Sequence, residues 1–534
     1  MSVLLTTSNN LPSPSSYDLW CGIGDAEPEL SDGYKVPNLA EILERAYDEI
    51  REEWWTLAHR LNLADQSAAL CHTASCNTNV SDFGAMLAWA HLYRTWDTGL
   101  NTVLVVCNDP WLFRHLASLG GQTLSTPPSY IGVELRLTLR GYASRTRYAL
   151  RALFARTRLH RDVQSCPKNK SFFITYGHPA SNSEGVDAYF GDLMKWSPHI
   201  TRILHTDCIT DRALELSKDQ RSFSLHAWGS LWFALLLPFK RWRLSLKMQN
   251  EPTGWLLRRA NMLEGSKGQS ASIAWQIHCQ DRWLKVQRPI KIIWPWENHG
   301  WEQALVRSAA GTNTKTIGYQ HTIVGQRHWV HTPASNKDGL ESLPEKIICN
   351  GQVWQDALAE YGVPHNLMEI GGSLRFNLTK PLSRDNTGPI YVALPFVHTI
   401  ANQMVSAIEA IARKGAHKFI VSDHPMNPYP LKPTPGIERA PGSLGETDGV
   451  AAVLYAATTV GLEALIGGLP VLRFIPEDNA SVDVIPTSFN VEAAWAQNLP
   501  QKLMDVIDAT IKVAPADSFF HPPDRAYWLA LCDE

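Results

Sequence analysis

A chain of 534 residues is too long for one ordinary core, so roughly two to four domains are expected. Its 49 basic and 52 acidic residues leave a formal net charge of −3, which argues against a chain-wide nucleic-acid surface. Nine cysteines occur without the paired spacing of a zinc site, and their odd number fits a reducing cytoplasm.

Residues 1–20 are rich in Ser, Asn and Pro and are expected to form a flexible tail; they lack the basic start and apolar run of a signal peptide. "NLAEILERAYDEIREEWWTLAHRLN" has helical periodicity, with Leu39, Ile42, Leu43, Ala46 and Ile50 on one face. "NTVLVVCNDPWLFRHLASLGG" reads as a buried strand, a turn at Asn108-Asp109-Pro110 and a helix ending at Gly120-Gly121, a βα unit. A helical stretch dense in arginine runs from Leu135 to Arg161. The apolar run Leu231 to Leu237 stops at Pro238, short of the ~18–20 residues that span a bilayer. "PFKRWRLSLK" behind it mixes basic and apolar residues, as the arginine helix does. Both suit contact with anionic lipid head groups, and both equally suit arginines lying over a solvated face.

Strands follow at "KSFFITYG", "HITRILHTD", "IKIIWPW" and "NTKTIGYQHT", then at "EKIICNG", "LMEIGG", "GPIYVALPF" and "HKFIV", and last in "VAAVLYAATT" and "LPVLRF". Their alternation with helices predicts an α/β protein: two doubly wound, Rossmann-like domains facing a central cleft, with extra N-terminal helices. The polar stretch "TPASNKDGLESLPEK" puts the boundary near 340. Residues 21–340 would be an acceptor domain with helical additions and 341–500 a nucleotide-sugar donor domain. Residues 501–534 would be a helical segment packing back on the first domain.

In "HKFIVSDHP", Pro425 holds His424 in extended geometry at a strand's carboxyl end, where ligands bind in doubly wound sheets. Its imidazole can donate to a phosphate oxygen. Thr458 and Thr459 stand where a loop becomes a helix, so hydroxyls and free backbone N–H groups converge there. An ordinary threonine cap accounts for one hydroxyl but not for the pair. Together they predict one nucleotide phosphate held between two adjacent βα turns.

In "WPWENHGWEQ", Glu297 emerges from a strand among Trp294, Trp296 and Trp301, whose apolar walls would raise its pKa toward the range of a general base. Glu302 is a second acidic candidate, and capping of the following helix is the alternative for either. His321 in "YQHT" also sits at a strand end. Asp187 and Asp192 are explained as helix-start acids, and His178-Pro179 as a turn.

His424-Pro425, Thr458-Thr459, Glu463-Ala464 and Gly468-Leu469-Pro470-Val471 resemble a motif set of bacterial surface-polysaccharide transferases. These are the capsule and O-antigen enzymes of GT-B architecture that use CMP-activated sugars, such as polysialyltransferases and Kdo transferases. Thr-Thr stands where Ser-Ser or Ser-Thr is commoner. "IGGSLRF" resembles their inter-domain segment, and "DAYFGDLMKW", "WPWENHGWEQALVRSA" and "TIGYQHT" resemble surface-carbohydrate biosynthesis proteins.

The resemblance implies metal-independent, cofactor-free transfer of Kdo or a sialic-acid-like nonulosonate to a lipid-linked or oligosaccharide acceptor. His424, Pro425, Thr458, Thr459, Glu463, Arg375, Gly372 and Ser373 would bind the donor. Glu297, His321 and Glu302 would act on the acceptor. The enzyme would be cytoplasmic, with peripheral contact to the inner face of the membrane, and would bind no nucleic acid. A CDP-polyol phosphotransferase of the teichoic-acid type stays open, as does a non-catalytic glycan-binding protein on the same fold.

Overall fold

The structure, a computed structural model, describes residues 3–24, 35–96, 99, 101–376, 381–424, 427–477, 480, 483, 485–486, 489–509 and 514–533. Runs such as Val103–Cys107 and Lys291–Pro295 are buried at every position, as parallel strands covered on both faces are.

The first sheet holds β1 (Val3–Thr6), β2 (Leu19–Ile23), β3 (Val103–Cys107) and β4 (Gln122–Thr123), in the order β2-β3-β1-β4. Residues 3–6 were expected in a loose tail and instead form an inner strand, paired with β3 on one side and β4 on the other. The apolar run is too short to show periodicity beside the polar residues that follow it, yet burial of Val3 and Leu5 outweighs them. Asp109 caps the helix Pro110–Leu119 by accepting from the N–H groups of Trp111 and Leu112, as the turn residues predict.

The second sheet holds β5 (Ser171–Thr175), β6 (Thr201–Leu204), β7 (Ser222–Ser224), β8 (Lys291–Pro295), β9 (Lys315–Gln320), β10 (Lys346–Cys349) and β11 (Met368–Ile370). The third holds β12 (Ile390–Ala393), β13 (Phe419–Ser422), β14 (Ile437–Arg439), β15 (Ala452–Tyr455), β16 (Val471–Phe474) and β17 (Glu492–Ala494). Their orders are β11-β10-β9-β8-β5-β6-β7 and β14-β13-β12-β15-β16-β17. Counted from its own first strand, each runs 3-2-1-4-5-6, and the second adds a seventh strand at one edge. That is the doubly wound Rossmann order, so the expected GT-B-like α/β class holds, with the smaller first sheet in addition.

The boundary falls later than residue 340. β10 pairs with β9, and β11 with β10, so residues 346–370 complete the second sheet. The polar stretch expected to hold the boundary is interior structure: Thr332, Ser335, Asn336 and Ser342 are buried. The helix Leu499–Asp508 packs on the third sheet. The chain then recrosses, and the helix Arg525–Asp533 sets Trp528 and Leu531 among Phe173, Ile293 and Tyr319 of the second sheet. Among the described residues no helix is long and apolar enough to cross a membrane.

The two crossings lie side by side. Ser373 N donates to His521 O at 2.8 Å, and Trp528 Nε1 donates to Gly371 O at 2.8 Å. Gly372 has φ +79°, and a Cβ there would stand 2.3 Å from Pro522 O. Gly372 and Ser373, expected at the donor, thus serve as the clasp between the crossings. Gly372→Ala is expected to lower stability by at least about 1–3 kcal/mol, read from the midpoint of chemical denaturation. An unchanged midpoint would contradict the clasp.

Candidate active site

β8 delivers Glu297 to the point where the second sheet reverses strand order, between β5 and β8. The next residue, Asn298, has φ +58°, a left-handed turn that costs a non-glycine residue of order 1–3 kcal/mol. A buried amide network holds it there. Asn298 Nδ2 donates to Val330 O (2.8 Å) and Thr332 O (3.1 Å), while Asn336 Nδ2 donates to Asn298 Oδ1 (3.0 Å). Gln303 Nε2 donates to Asn298 O at 3.0 Å. A buried network with its partners in place rigidifies the groups attached to it, here Glu297 and His299 on either side of the turn.

His299 Nε2 lies 2.9 Å from Glu297 Oε2, and His321 Nε2 lies 3.7 Å from Glu297 Oε1. Burial pushes the Glu297 carboxyl up, but the His299 hydrogen bond and the charges of the surrounding histidines outweigh it and hold Glu297 well below the usual carboxylate range. The expected upward shift is therefore reversed, because the tryptophan walls are accompanied by imidazoles. Burial lowers His299, and the Glu297 hydrogen bond and charge more than restore it, so its pKa is raised. Burial takes His321 down to about 4; its ring stands edge-on to Tyr189 at 5.0 Å.

Glu302, expected to act on the acceptor, is only 1% exposed and folds back on the turn. It accepts from Trp294 Nε1 (3.0 Å), Glu297 N (3.0 Å) and Asn298 N (3.1 Å). Burial pushes its carboxyl up to about 7, against those donors. It is a cap that shapes the loop carrying Glu297.

Glu297 and His299 line two cavities, one of about 270 Å³ and one of about 250 Å³. Tyr176, Tyr189, His205, Asp207, Trp301 and His321 are among the walls of the first. His72 closes it from the N-terminal helical region, in a loop tied down where Glu264 accepts from His72 N and Thr73 Oγ1. Asn77, Thr322, His328 and His331 line the second. His205 Nδ1 accepts from Asp207 N at 3.1 Å, so Nε2 bears its proton, and that buried N–H has no hydrogen-bond partner among the described residues. His299 Nδ1 likewise has none. His72, His205, His299, His328 and His331 went unread in the sequence. A strand-end signal existed for His205 in "ILHTD" and for His299 in "ENHG".

The third sheet reverses between β12 and β15. Ala457 there has φ +48°, a second left-handed non-glycine turn at a reversal point. Thr458 Oγ1 accepts from Val460 N at 3.4 Å and Thr459 Oγ1 donates to Glu463 Oε1 at 3.5 Å, so both hydroxyls have local partners. His424 follows β13, its ring edge-on to Phe396 at 5.5 Å. β12 lies between β13 and β15, so the two turns expected to be adjacent are two strand positions, about 10 Å, apart. The expectation treated successive strong strands as neighbours, whereas the first strand of this topology occupies the middle. Pro425 lies outside the described residues.

Arg375 makes its charge felt at both crevices. Its guanidinium lies 5.4 Å from the centre of the Tyr189 ring. Burial raises the Glu463 carboxyl while Thr459 and the Arg375 charge pull it down. Burial lowers His321, and Arg375 adds to that lowering. Of the acids explained as helix starts, Asp187 accepts from Thr175 Oγ1 and Ser181 Oγ in the interior, and Asp192 pairs with Lys195 at 2.9 Å. A larger cavity, about 980 Å³, lies between Trp20 and Lys35 on one side and the helix His398–Ala412 on the other. Its described lining holds no cluster like that at Glu297. Among the described residues no group of three or more His, Cys, Asp or Glu could hold a metal ion.

No family profile and no curated protein sequence matches the chain. Among the solved structures it resembles is a Methanocaldococcus jannaschii UDP-GlcNAc 2-epimerase bound to UDP-GlcNAc and UDP, at 10% identity and TM-score 0.38, covering 68% of this chain and 98% of that one. Another is HepE of Anabaena with UDP and glucose, at 11% identity and TM-score 0.36, covering 67% and 94%. A third is the lipopolysaccharide outer-core galactosyltransferase WaaB in its apo form, at 11% identity and TM-score 0.32, covering 67% and 97%. None of these three is named for a CMP-activated sugar. With TM-scores this low, the fold description rests on the sheet orders themselves.

Two outcomes follow from the site. Glu302→Ala strands buried donors and is expected to cost at least about 1–3 kcal/mol in chemical denaturation. The Glu297–His299 pair also makes stability depend on pH. The lowered Glu297 contributes above its unfolded value of roughly 4.5, and that contribution fades as pH falls through its native one. The raised His299 contributes fully below roughly 6.5 and loses that contribution as pH rises through its native value. The stability gap between parent and Glu297→Gln is therefore expected to be widest near pH 5–6 and to shrink toward pH 9; a gap constant from pH 5 to 9 would sink the pairing.

Proposed function

We propose that the protein is a glycosyltransferase that moves a sugar from a nucleotide-activated donor to a hydroxyl of a surface-glycan acceptor. The observation that carries the reading is the Glu297–His299 pair, which stands between two cavities at a strand-order reversal with one imidazole nitrogen lacking a partner among the described residues. A carboxylate on one nitrogen of a histidine orients the ring and stabilises its protonated form, leaving the other nitrogen to take a proton. His299 Nδ1 accepts the proton of the acceptor hydroxyl as its oxygen bonds to the sugar's anomeric carbon. The bond from that carbon to the nucleotide phosphate breaks, and its electron pair leaves with the phosphate. Glu297 acts through His299, and the neutral His321 and His205 are donors for sugar hydroxyls in the same cavity.

On the donor side, the crevice between β12 and β15 is where ligands bind in this topology, and Thr458, Thr459 and Glu463 border it. Arg375 supplies positive charge toward both crevices, a suitable partner for a departing phosphate. The finer reading, a CMP-activated Kdo or nonulosonate donor, is supported by the His424, Thr458 and Thr459 motif. It is weakened by the strand between the two turns. The CDP-polyol reading uses the same crevice and differs in adding phosphate to the acceptor.

Thermal shift with CMP, CDP, UDP and GDP separates these readings. Cytidine nucleotides alone are expected to raise the melting temperature; stabilisation by UDP alone would replace the donor class, and no shift with any would remove the donor site. Glu297→Gln is expected to keep nucleotide binding while transfer falls by about 10²–10⁴-fold. Parent activity is expected to rise with pH through the raised His299 value, since only the neutral ring takes a proton. A rate that falls over that range would contradict the base assignment.

A further inference from the structure

The helix Ile131–Leu159 carries an apolar stripe that no described residue covers. Ile131, Leu135, Leu139 and Tyr142 recur at three- and four-residue intervals, Leu150 and Phe154 continue the stripe from two turns further on, and all are exposed, Leu139 by 63%. At 29 residues the helix is about 43 Å long. Its core side is held from below: Arg145 Nε donates to Pro238 O at 2.9 Å, and Arg156 Nε donates to Gly229 O at 2.8 Å. The segment it grips brings a second apolar set alongside. In the turns over 231–239, Leu231, Trp232, Leu235 and Phe239 are exposed, Trp232 by 70%. Tyr142 and Phe239 touch at 5.8 Å, so the two sets form one surface.

Charge borders that surface on both sides. Arg136, Arg140, Arg147, Arg151 and Arg158 follow one another along the exposed helix, next to the apolar stripe. Lys240, Arg241, Arg243 and Lys247 follow the second set. The only acid in residues 131–159 is Glu134, engaged by Arg258 Nε at 2.8 Å, and residues 229–249 contain none. Within a chain of net charge −3 this is a concentrated cationic face.

We propose that this face seats the protein on an anionic lipid bilayer. Trp232, Leu231, Leu235 and Phe239 enter the interfacial region, the helix Ile131–Leu159 lies in its plane, and the flanking arginines and lysines meet lipid phosphates. Lateral apolar burial alone would suit a protein partner, but basic rims with almost no acid suit a surface whose charge is uniformly negative. The assignment is independent of the transfer chemistry and survives its failure.

Co-sedimentation with vesicles tests it. The parent protein is expected to pellet with vesicles of equal parts phosphatidylglycerol and phosphatidylcholine, to stay largely in solution with phosphatidylcholine alone, and to be released by high salt. Trp232→Glu with Leu235→Glu, and separately Arg136→Glu with Arg140→Glu, are each expected to weaken partitioning about tenfold or more, with an unchanged melting temperature. Should either pair lower the melting temperature, the lipid and salt dependence of the parent decides alone. Equal pelleting with both vesicle types, no pelleting, or self-association without vesicle binding would each overturn the proposal.

Discussion

In a parallel sheet whose first strand lies in the middle, the early and late crossovers run in opposite directions from that strand. At the strand where direction changes, no crossover helix covers the carboxyl edge, and an open crevice results. The second and third sheets turn in this way at β5/β8 and at β12/β15. Each crevice is entered by a left-handed non-glycine turn, at Asn298 and at Ala457. Backbone held in that region persists only where surroundings over-determine it. Around Asn298 the surroundings are explicit: a buried amide network that reaches residues 330–336 and joins β8 to the polar stretch expected to hold the domain boundary.

Two carboxylates five residues apart end in different states because their surroundings differ in kind. Glu302 accepts from indole and backbone N–H groups, and burial outweighs both the His299 charge and those donors. Glu297 is surrounded by imidazoles and is partly open to the cavities, so it stays charged and draws His299 toward protonation. The same two residues thus divide the labour of the loop, one fixing its shape and the other setting the charge state of the histidine beside it. The first cavity is completed by His72 from outside the sheet, which ties the N-terminal helices to the site. Those helices also brace the lobes: Glu44 pairs with Arg327 at 3.4 Å and with Arg473 of β16 at 3.0 Å.

Much of this was legible from residue pattern. Long buried strands such as "NTVLVVC" and "IKIIWPW" announce themselves by continuous apolar character, and strand ends point to ligand positions, which located Glu297 and His321. Short strands did not: β1, β14 and β17 have too few residues for a period to register. The neighbour relation of β13 and β15 failed for a related reason, since a linear reading has no view of which strand occupies the centre. Glu302 and Glu297 were indistinguishable in sequence, because what separates them is whether N–H groups or imidazoles stand within hydrogen-bond reach. Gly372 and Ser373 drew attention as a glycine turn, and the demand behind them is the recrossing chain at Pro522, distant in sequence and adjacent in space.

The proposed transfer requires a nucleotide to bind where the third sheet reverses, facing the Glu297–His299 pair across Arg375. Hydrogen–deuterium exchange followed by mass spectrometry, with and without saturating nucleotide, tests it most directly. Slowed exchange is expected at residues 394–397 and 456–463 and around Arg375. Protection confined to the 980 Å³ groove, at residues 35–38 and 402–414, would contradict it.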